Sequence, residues 1–379
     1  MEEIRLCLTG GHTGGHFFPL LFVTQKFKKE ADKRKWRYRI LYVGTSPFDE
    51  ELFKKEGVEI YKIPTVKLRR YFDIKNIFDI FKFPFSFIKA FITLYVLMPD
   101  IVFSKGGPGS LEVVISAWIL RIPIMIHESD SIPGRSNIIA GKFATLIGVS
   151  FEKAKKYFNP KKTALIGQPI YNDFDNIIPS KEDYERLNIN QGEKIILVLG
   201  GSQGSQVINE NIIFSLKKLL TVGHIIHQIG KNMFQEYYQI ANGYILENVP
   251  ARKKFYHPFA FIDNKDLIKF LKMADLVISR AGAGAIFEIA ASGTPAILIP
   301  LKEEVGGKHQ IENAYEYANA GAAIVIEEKN LFPDLLATIV NKTLKEENTL
   351  LEMRNNALLF SKKDATEKIV KELILLITG

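Results

Sequence analysis

Two histidines sit among four glycines in the run Gly10-Gly11-His12-Thr13-Gly14-Gly15-His16, directly after the apolar residues 4–8. Glycines at the end of a strand let backbone N–H groups close on a ligand, and a helix opening there points its positive end at the same place. That combination suits phosphate. Gly10 and Gly15 have the spacing of a nucleoside-triphosphate loop, but His16 and Phe17 replace the lysine and hydroxyl residue that would hold terminal phosphates and magnesium. No register of the four glycines supplies the dinucleotide pattern G-x-G-x-x-G. A different nucleotide ligand is the better reading, and a glycine turn without a ligand is the plain alternative.

The second half repeats the device. Residues 195–199 are apolar and run into Gly200, Gly201, Ser202, Gln203 and Gly204, where backbone amides and a hydroxyl could meet a phosphate. Further on, Arg280 ends an apolar stretch at 276–279, the small residues 281–285 open a helix, and Glu288 stands in its first turns. A carboxylate there can accept two hydrogen bonds from a ribose diol while small residues admit a diphosphate. Compensation of the helix dipole is the alternative for Glu288. His309, Gln310 and Asn313 fall about one helical turn apart at another helix start, and amide side chains suit sugar hydroxyls because they both donate and accept. Asp173-Phe174-Asp175 matches the Asp-x-Asp pattern that holds a divalent ion under a diphosphate. It follows Gly167-Gln168-Pro169-Ile170-Tyr171-Asn172 in what reads as an exposed segment, so it is taken as solvated surface and no metal site is expected.

These residues need a scaffold, and the hydrophobic pattern supplies one. Short apolar, β-branched runs at 39–43, 101–104, 122–127, 146–150, 194–200, 224–229, 276–279 and 296–299 alternate with longer amphipathic stretches. Such a pattern indicates βαβ units and parallel sheets. The fold class is α/β, with two doubly wound domains whose strand ends would face a shared cleft. The polar stretch 178–194, or the residues just before it, is read as a linker. The domains are placed at 1–168 and 169–360, with 361–379, amphipathic over 364–377, returning to the first.

With 379 residues and 47% hydrophobic content, the chain can bury the cores of two or three domains, which excludes disorder as its organising principle. Lys plus Arg exceed Asp plus Glu by 50 to 42, a net +8 that favours an anionic partner. The basic run at 33–39 reads as a helix end and strand start without any accompanying nucleic-acid motif, so no nucleic-acid partner is expected. The single Cys7 excludes an internal disulfide and fits a reducing compartment. The start, MEEIRLCL, is acidic and unlike a signal peptide.

Residues 66–98 hold much of the aromatic content. Ile74, Ile77, Phe78 and Phe81 follow i, i+3, i+4, i+7, with Lys75, Asp79 and Lys82 on other faces. The apolar stretch 83–98 is interrupted by Lys89, begins beside Pro84, and falls short of the roughly 20 apolar residues of a spanning helix. An excess of lysine and arginine suits docking on an anionic bilayer surface. A core helix pair is the alternative, above all for 87–98.

Six motifs, at 10–19, 127–137, 200–209, 261–263, 279–290 and 309–314, occur in the order and spacing of the MurG family, and the chain resembles that family over roughly residues 4–330. The resemblance implies an inverting GT-B transferase that moves N-acetylglucosamine from UDP to the muramoyl-pentapeptide on undecaprenyl diphosphate, forming a β-1,4 linkage in peptidoglycan synthesis. It implies no cofactor and a peripheral location on the cytoplasmic face of the cell membrane. It places the donor on the C-terminal domain, with Ser202 on the nucleotide, the Ile262 backbone on uracil, Glu288 on ribose, Ala283 and Gly284 at the diphosphate and sugar, and Gln310 on sugar hydroxyls. Thr13, Gly14, Gly15 and His16 would form the acceptor-side wall of the cleft, near the donor's sugar and diphosphate, with Thr13, Gly14 and Gly15 among the contacts to UDP-N-acetylglucosamine. Asp130, where many members carry Asn, aligns with a sugar contact. Tyr171 and Ala285 depart from the commonest family pattern and are left out of the expected site. His16 is the leading general base, since imidazole titrates near neutral pH; an orienting hydrogen bond to diphosphate is the alternative. For His127 and Glu128, a chemical role and a purely structural one both stand. Two other functions compete: a GT-B transferase with another lipid or soluble acceptor, and a non-catalytic membrane-associated assembly protein, against which Ser202, Glu288 and Gln310 together argue.

Overall fold

A computed structural model describes residues 3–64, 75–190, 192–201, 203–305 and 307–379, with side chains described at these positions except 75–83 and 305. The chain divides into two compact units, residues 1–172 with 362–379, and residues 173–361.

In the first unit the strands are β1 (Ile4–Thr9), β2 (Tyr38–Gly44), β3 (Val58–Lys62), β4 (Ile101–Ser104), β5 (Ile124–Glu128), β6 (Leu146–Val149) and β7 (Thr163–Leu165). They alternate with helices α1 (Gly14–Lys33), α2 (Glu50–Lys55), α3 (Lys75–Leu97), α4 (Ser110–Ile119) and α5 (Arg135–Phe143). Among the described residues they form one parallel sheet in the order β3-β2-β1-β4-β5-β6-β7. Apolar clusters cover both faces. Leu6, Leu8, Phe17 and Phe103 lie on one side, and Cys7, Val43, Val102 and Val113 on the other. Burial among these neighbours pushes the Cys7 thiol up to about 12, so it packs as a small apolar group.

The second unit holds α6 (Lys181–Glu185), then β8 (Ile195–Leu199), α7 (Gln206–Leu219), β9 (His224–Gln228), α8 (Phe234–Asn248), β10 (Tyr256–Phe259), α9 (Asn264–Met273), β11 (Leu276–Ser279), α10 (Ala283–Ser292), β12 (Ala296–Leu298), α11 (Lys308–Asn319), β13 (Ala323–Val325), α12 (Pro333–Lys345) and α13 (Glu347–Phe360). Its parallel order is β10-β9-β8-β11-β12-β13. Of the stretch 178–194, the described residues 178–190 and 192–194 belong to this unit. Ser180 and Asp183 form a reciprocal cap at the start of α6, and Asp183 and Arg186 pair with Lys269 and Asp266 of α9.

The two sheets are both Rossmann-like, the pair of domains that defines the GT-B class. After the second unit the chain returns as α14 (Ala365–Thr378), which packs on α1 and β4 and buries Ile369, Val370, Leu373 and Ile374. Each of these aliphatic side chains gains about 1.5–3 kcal/mol on leaving water, which offsets the entropy cost of ordering the helix.

Candidate active site

In a doubly wound sheet the strand order reverses at one point, and ligands bind outside the carboxyl ends of the strands there. In the first unit that point lies between β1 and β4. The loops following them, 10–13 and 105–109, carry the glycine runs. Gly10 has φ +101°, and a Cβ on it would stand 2.5 Å from the carbonyl oxygen of Gly106, so the two loops touch through bare backbone. The Tyr42 hydroxyl bonds the carbonyls of Gly10 and Thr45 and fixes this approach.

Thr13 is the N-cap of α1, making Gly14 and Gly15 its first residues. No acidic side chain occupies that first turn, and while the His16 N–H donates to the Thr13 carbonyl, the positive dipole end with the N–H groups of Gly14 and Gly15 suits an anion. A Cβ at Gly15 would meet nothing within 4 Å among the described residues, so packing does not demand glycine there. Thr13 Oγ1 does not cap the helix. It bonds the Nδ1 of His16, which is half-buried.

His127 and Glu128 end β5, and both are buried. The His127 ring is fully buried, with Nε2 donating to the Gly167 carbonyl at 2.8 Å and Nδ1 accepting from Lys105. Burial and the neighbouring lysine hold its pKa well below the ordinary imidazole value. The Glu128 carboxylate accepts from the backbone of Asp130 at 2.9 Å and Gly134 at 3.1 Å, and from the Asn137 amide at 2.9 Å. Asp130 lies on the loop that Glu128 ties down.

The reversal in the second unit falls between β8 and β11. Ser202 lies outside the described residues. Three side chains bind the surrounding loops to one another. Ser205 caps α7 and accepts from Arg280 at 2.7 Å. The Arg280 guanidinium also bonds the carbonyls of Ile299 and Pro300 and pairs with Glu328 at 2.7 Å, both partners largely buried. Gln228 donates to the Gly201 carbonyl and accepts from the Ile262 N–H, each at 3.0 Å. The Ile262 N–H is therefore already taken, and a base reading this backbone must use the carbonyl or displace Gln228.

Helix α10 begins after Gly282 with Ala283 and Gly284, and has no acidic residue in its first turn. Cβ atoms at 282 and 284 would find nothing within 4 Å among the described residues. Glu288 lies one turn further on, partly accessible. It has no hydrogen-bond or ion-pair partner among the described residues, and desolvation pushes its carboxyl up to about 7. An unpartnered, largely desolvated acid is costly to keep, and shifted carboxyls of this kind cluster at functional sites. Gln310, on α11, is half-buried with Oε1 3.3 Å from the Leu301 N–H. Asn313 beside it is fully buried and reaches the Ala281 carbonyl.

Asp173 and Asp175 are exposed, but Phe174 between them is buried, with the Lys272 amine over its ring and bonded to the carbonyls of 174 and 177. Ile74 lies outside the described residues, and so do the side chains of Ile77, Phe78 and Phe81 on α3. The remainder of that helix is described. Ser86, Ala90, Leu94 and Leu97 are buried against the sheet, while Phe85, Ile88, Ile92, Tyr95 and Val96 face outward, Phe85 and Val96 both 72% exposed. Trp118 and Ile119 of the adjoining α4 are exposed as well. No helix among the described residues is long and apolar enough to cross a membrane.

Sequence reasoning passed over Lys105 and Gln228. Each is a polar residue at the end of a buried strand beside a glycine turn, and that position is the signal that marks them.

The chain matches the glycosyltransferase family 28 N-terminal domain over residues 6–149 and the family 28 C-terminal domain over 195–369. A solved structure, that of Acinetobacter baumannii MurG, is 24% identical and superposes with a TM-score of 0.76 over 98% of this chain and 99% of that one. A UDP-N-acetylglucosamine 2-epimerase from Neisseria meningitidis shares the fold at 11% identity and a TM-score of 0.66, covering 98% and 100%. By the family models that match both of its halves, the chain is a glycosyltransferase.

Among curated relatives, a protein from Clostridium botulinum strain Langeland is 36% identical over 376 residues, 98% of each chain. One from Clostridium perfringens strain 13 is 35% identical over 367 residues, 96% of this chain and 95% of that one. Both bear the name UDP-N-acetylglucosamine–N-acetylmuramyl-(pentapeptide) pyrophosphoryl-undecaprenol N-acetylglucosamine transferase. This chain belongs to that family of N-acetylglucosaminyltransferases.

Proposed function

We propose that the second unit binds UDP-N-acetylglucosamine, that the first binds the muramoyl-pentapeptide carried on undecaprenyl diphosphate, and that the enzyme joins them with inversion into a β-1,4 linkage of the peptidoglycan precursor. The observation that carries the donor half is Glu288: an acid with no hydrogen-bond or ion-pair partner among the described residues, one turn into a helix where Cβ atoms at Gly282 and Gly284 would meet none of those residues within 4 Å. A ribose diol supplies the two hydrogen bonds the carboxylate lacks, and the diphosphate takes the N–H groups at 283–284. The carbonyl of Ile262 reads the uracil, Ser202 bonds the nucleotide, and Gln310 and Asp130 meet sugar hydroxyls.

In the reaction the acceptor hydroxyl attacks the anomeric carbon as its proton passes to Nε2 of His16, and UDP departs. For Nε2 to be basic the imidazole proton must sit on Nδ1, where it donates to Thr13 Oγ1. The leaving charge is met by helix N-termini and backbone amides, and the chain's own residues need no metal at Asp173 and Asp175 for this step.

The enzyme works as a peripheral protein on the cytoplasmic membrane face. The outward apolar stripe of α3 with Trp118, beside exposed Lys89 and Arg121, is an interfacial face suited to anionic lipid, and this is what supports docking through the described part of the helix.

The test is UDP release on incubation with UDP-N-acetylglucosamine and the lipid-linked muramoyl acceptor. Release that requires both substrates supports the reading. Release that occurs equally without the acceptor, or only with a different acceptor, rejects it.

A further inference from the structure

Lys105 directly follows β4, ahead of the glycine pair 106–107, and is 1% exposed. A buried ammonium is tolerated only where its three N–H groups all find acceptors. Here they do. Nζ donates to Nδ1 of His127, to Oγ of Ser129 at 2.6 Å and to Oε1 of Gln168 at 3.5 Å. The His127 nitrogen is an obligate acceptor, because its Nε2–H is spent on the Gly167 carbonyl. Gln168 is itself held by the Ser150 hydroxyl at 3.1 Å. One side chain thus ties the end of β4 to the end of β5, to the loop beyond it, and to the segment after β7. None of the steps above uses it.

We propose that Lys105 is a positioning residue for the acceptor: its triply bonded, protonated amine holds the loop 127–134 in the arrangement that completes the acceptor wall begun by residues 10–16. The proposal rests on the assignment of the first unit to the acceptor. The charged and titratable groups around it are Glu128 and Asp130, which favour the ammonium, and His127 with His16 beyond it, which do not. Glu128 anchors the same loop from the other side through Asp130, Gly134 and Asn137. A neutral amine keeps two donors, and the Ser129 hydroxyl must then turn from accepting to donating into its lone pair, so loss of the proton removes the charge-assisted bonds and rearranges the hold on the loop. Burial pulls the lysine well below its ordinary range, which brings that loss within reach of an assay.

The experiment compares the full-length wild type with Lys105→Met, which keeps the length of the side chain and removes every N–H, using UDP-N-acetylglucosamine and the lipid-linked muramoyl acceptor from about pH 6.5 to 9.5. Wild-type turnover that depends on the acceptor establishes the underlying reading first. The proposal then expects the wild-type acceptor KM to rise on the alkaline side while the donor KM stays level. It expects the variant to show a roughly tenfold or greater acceptor KM at every pH, with no alkaline rise. A variant with the wild-type acceptor KM, or one that retains the alkaline rise, overturns the proposal and leaves the reading intact. Should Lys105→Met fail to fold, Ser129→Ala removes one acceptor and keeps the charge. The alkaline rise must then move to lower pH, and an unmoved rise overturns the proposal.

Discussion

Thr13 Oγ1 lies 2.9 Å from Nδ1 of His16, one helical turn away at the start of α1. A hydroxyl that ought to cap the helix instead orients an imidazole. Replacing His16 with Ala should lower kcat by roughly a hundredfold or more, the usual worth of a general base. Thr13→Val, which keeps the shape and deletes the oxygen, should lower kcat less, and Thr13→Ser should restore it. Steady-state kinetics with unchanged kcat in His16→Ala would remove the imidazole from the chemistry.

Glu288 trades stability for binding. Its carboxyl ionises at about 7 when folded, against an ordinary value near 4.3, so above that range the folded state bears the cost of a desolvated charge. Glu288→Gln should raise Tm at pH 8 and leave it unaltered at about pH 3, below both values, where the acid is neutral in both states. The same variant should weaken UDP binding roughly tenfold to a hundredfold, measured by calorimetry. Wild-type affinity in the variant would place the ribose elsewhere.

The outward stripe of α3 should be separable from catalysis in solution. Ile88→Ser with Ile92→Ser changes two exposed side chains, each worth about 1.5–3 kcal/mol when withdrawn from water. Cosedimentation with vesicles containing anionic phospholipid should fall by roughly tenfold or more, with UDP affinity unchanged. Undiminished vesicle binding would rule this face out.

Acid should weaken the second unit through its imidazoles. Burial lowers His257 to about 4 and His227 to about 3, and His224, between Glu193 and His257, is lowered too. The unfolded chain binds these protons near pH 6.5 and the folded chain refuses them, so stability is complete above that pH and declines as pH falls toward 4. Glu288 pulls the other way, which makes the difference between wild type and His257→Asn the clean measurement. At pH 5 the wild type should have lost on the order of 2 kcal/mol more than the variant relative to pH 7. Parallel denaturation profiles for the two would contradict the assignment.

The central strands of both sheets could be read from residues 39–43, 101–104, 224–229 and 276–279 because fully buried strands are continuous apolar runs. The four that escaped, β3, β7, β10 and β13, are the four sheet edges. Edge strands are short and half-solvated, so Val58-Glu59-Ile60-Tyr61-Lys62 carries no such run, and β10 even contains Pro258, which an edge tolerates. The glycine loops were legible because a glycine run after a strand has few other uses. Lys105 and Gln228 were not, since their meaning lies in which loop ends they join, and those partners are 22–63 and 27–34 residues away in sequence. On α3, buried and outward stripes are both apolar, and only packing tells them apart.

The return of α14 has a consequence for biosynthesis. The ribosome completes all of the second unit before it makes the helix that closes the core of the first. During translation the earlier-made half must wait with Leu6, Phe103 and their neighbours incompletely covered, while the later-made half can fold at once. The order in which the nascent chain matures is thereby opposite to the order in which it emerges.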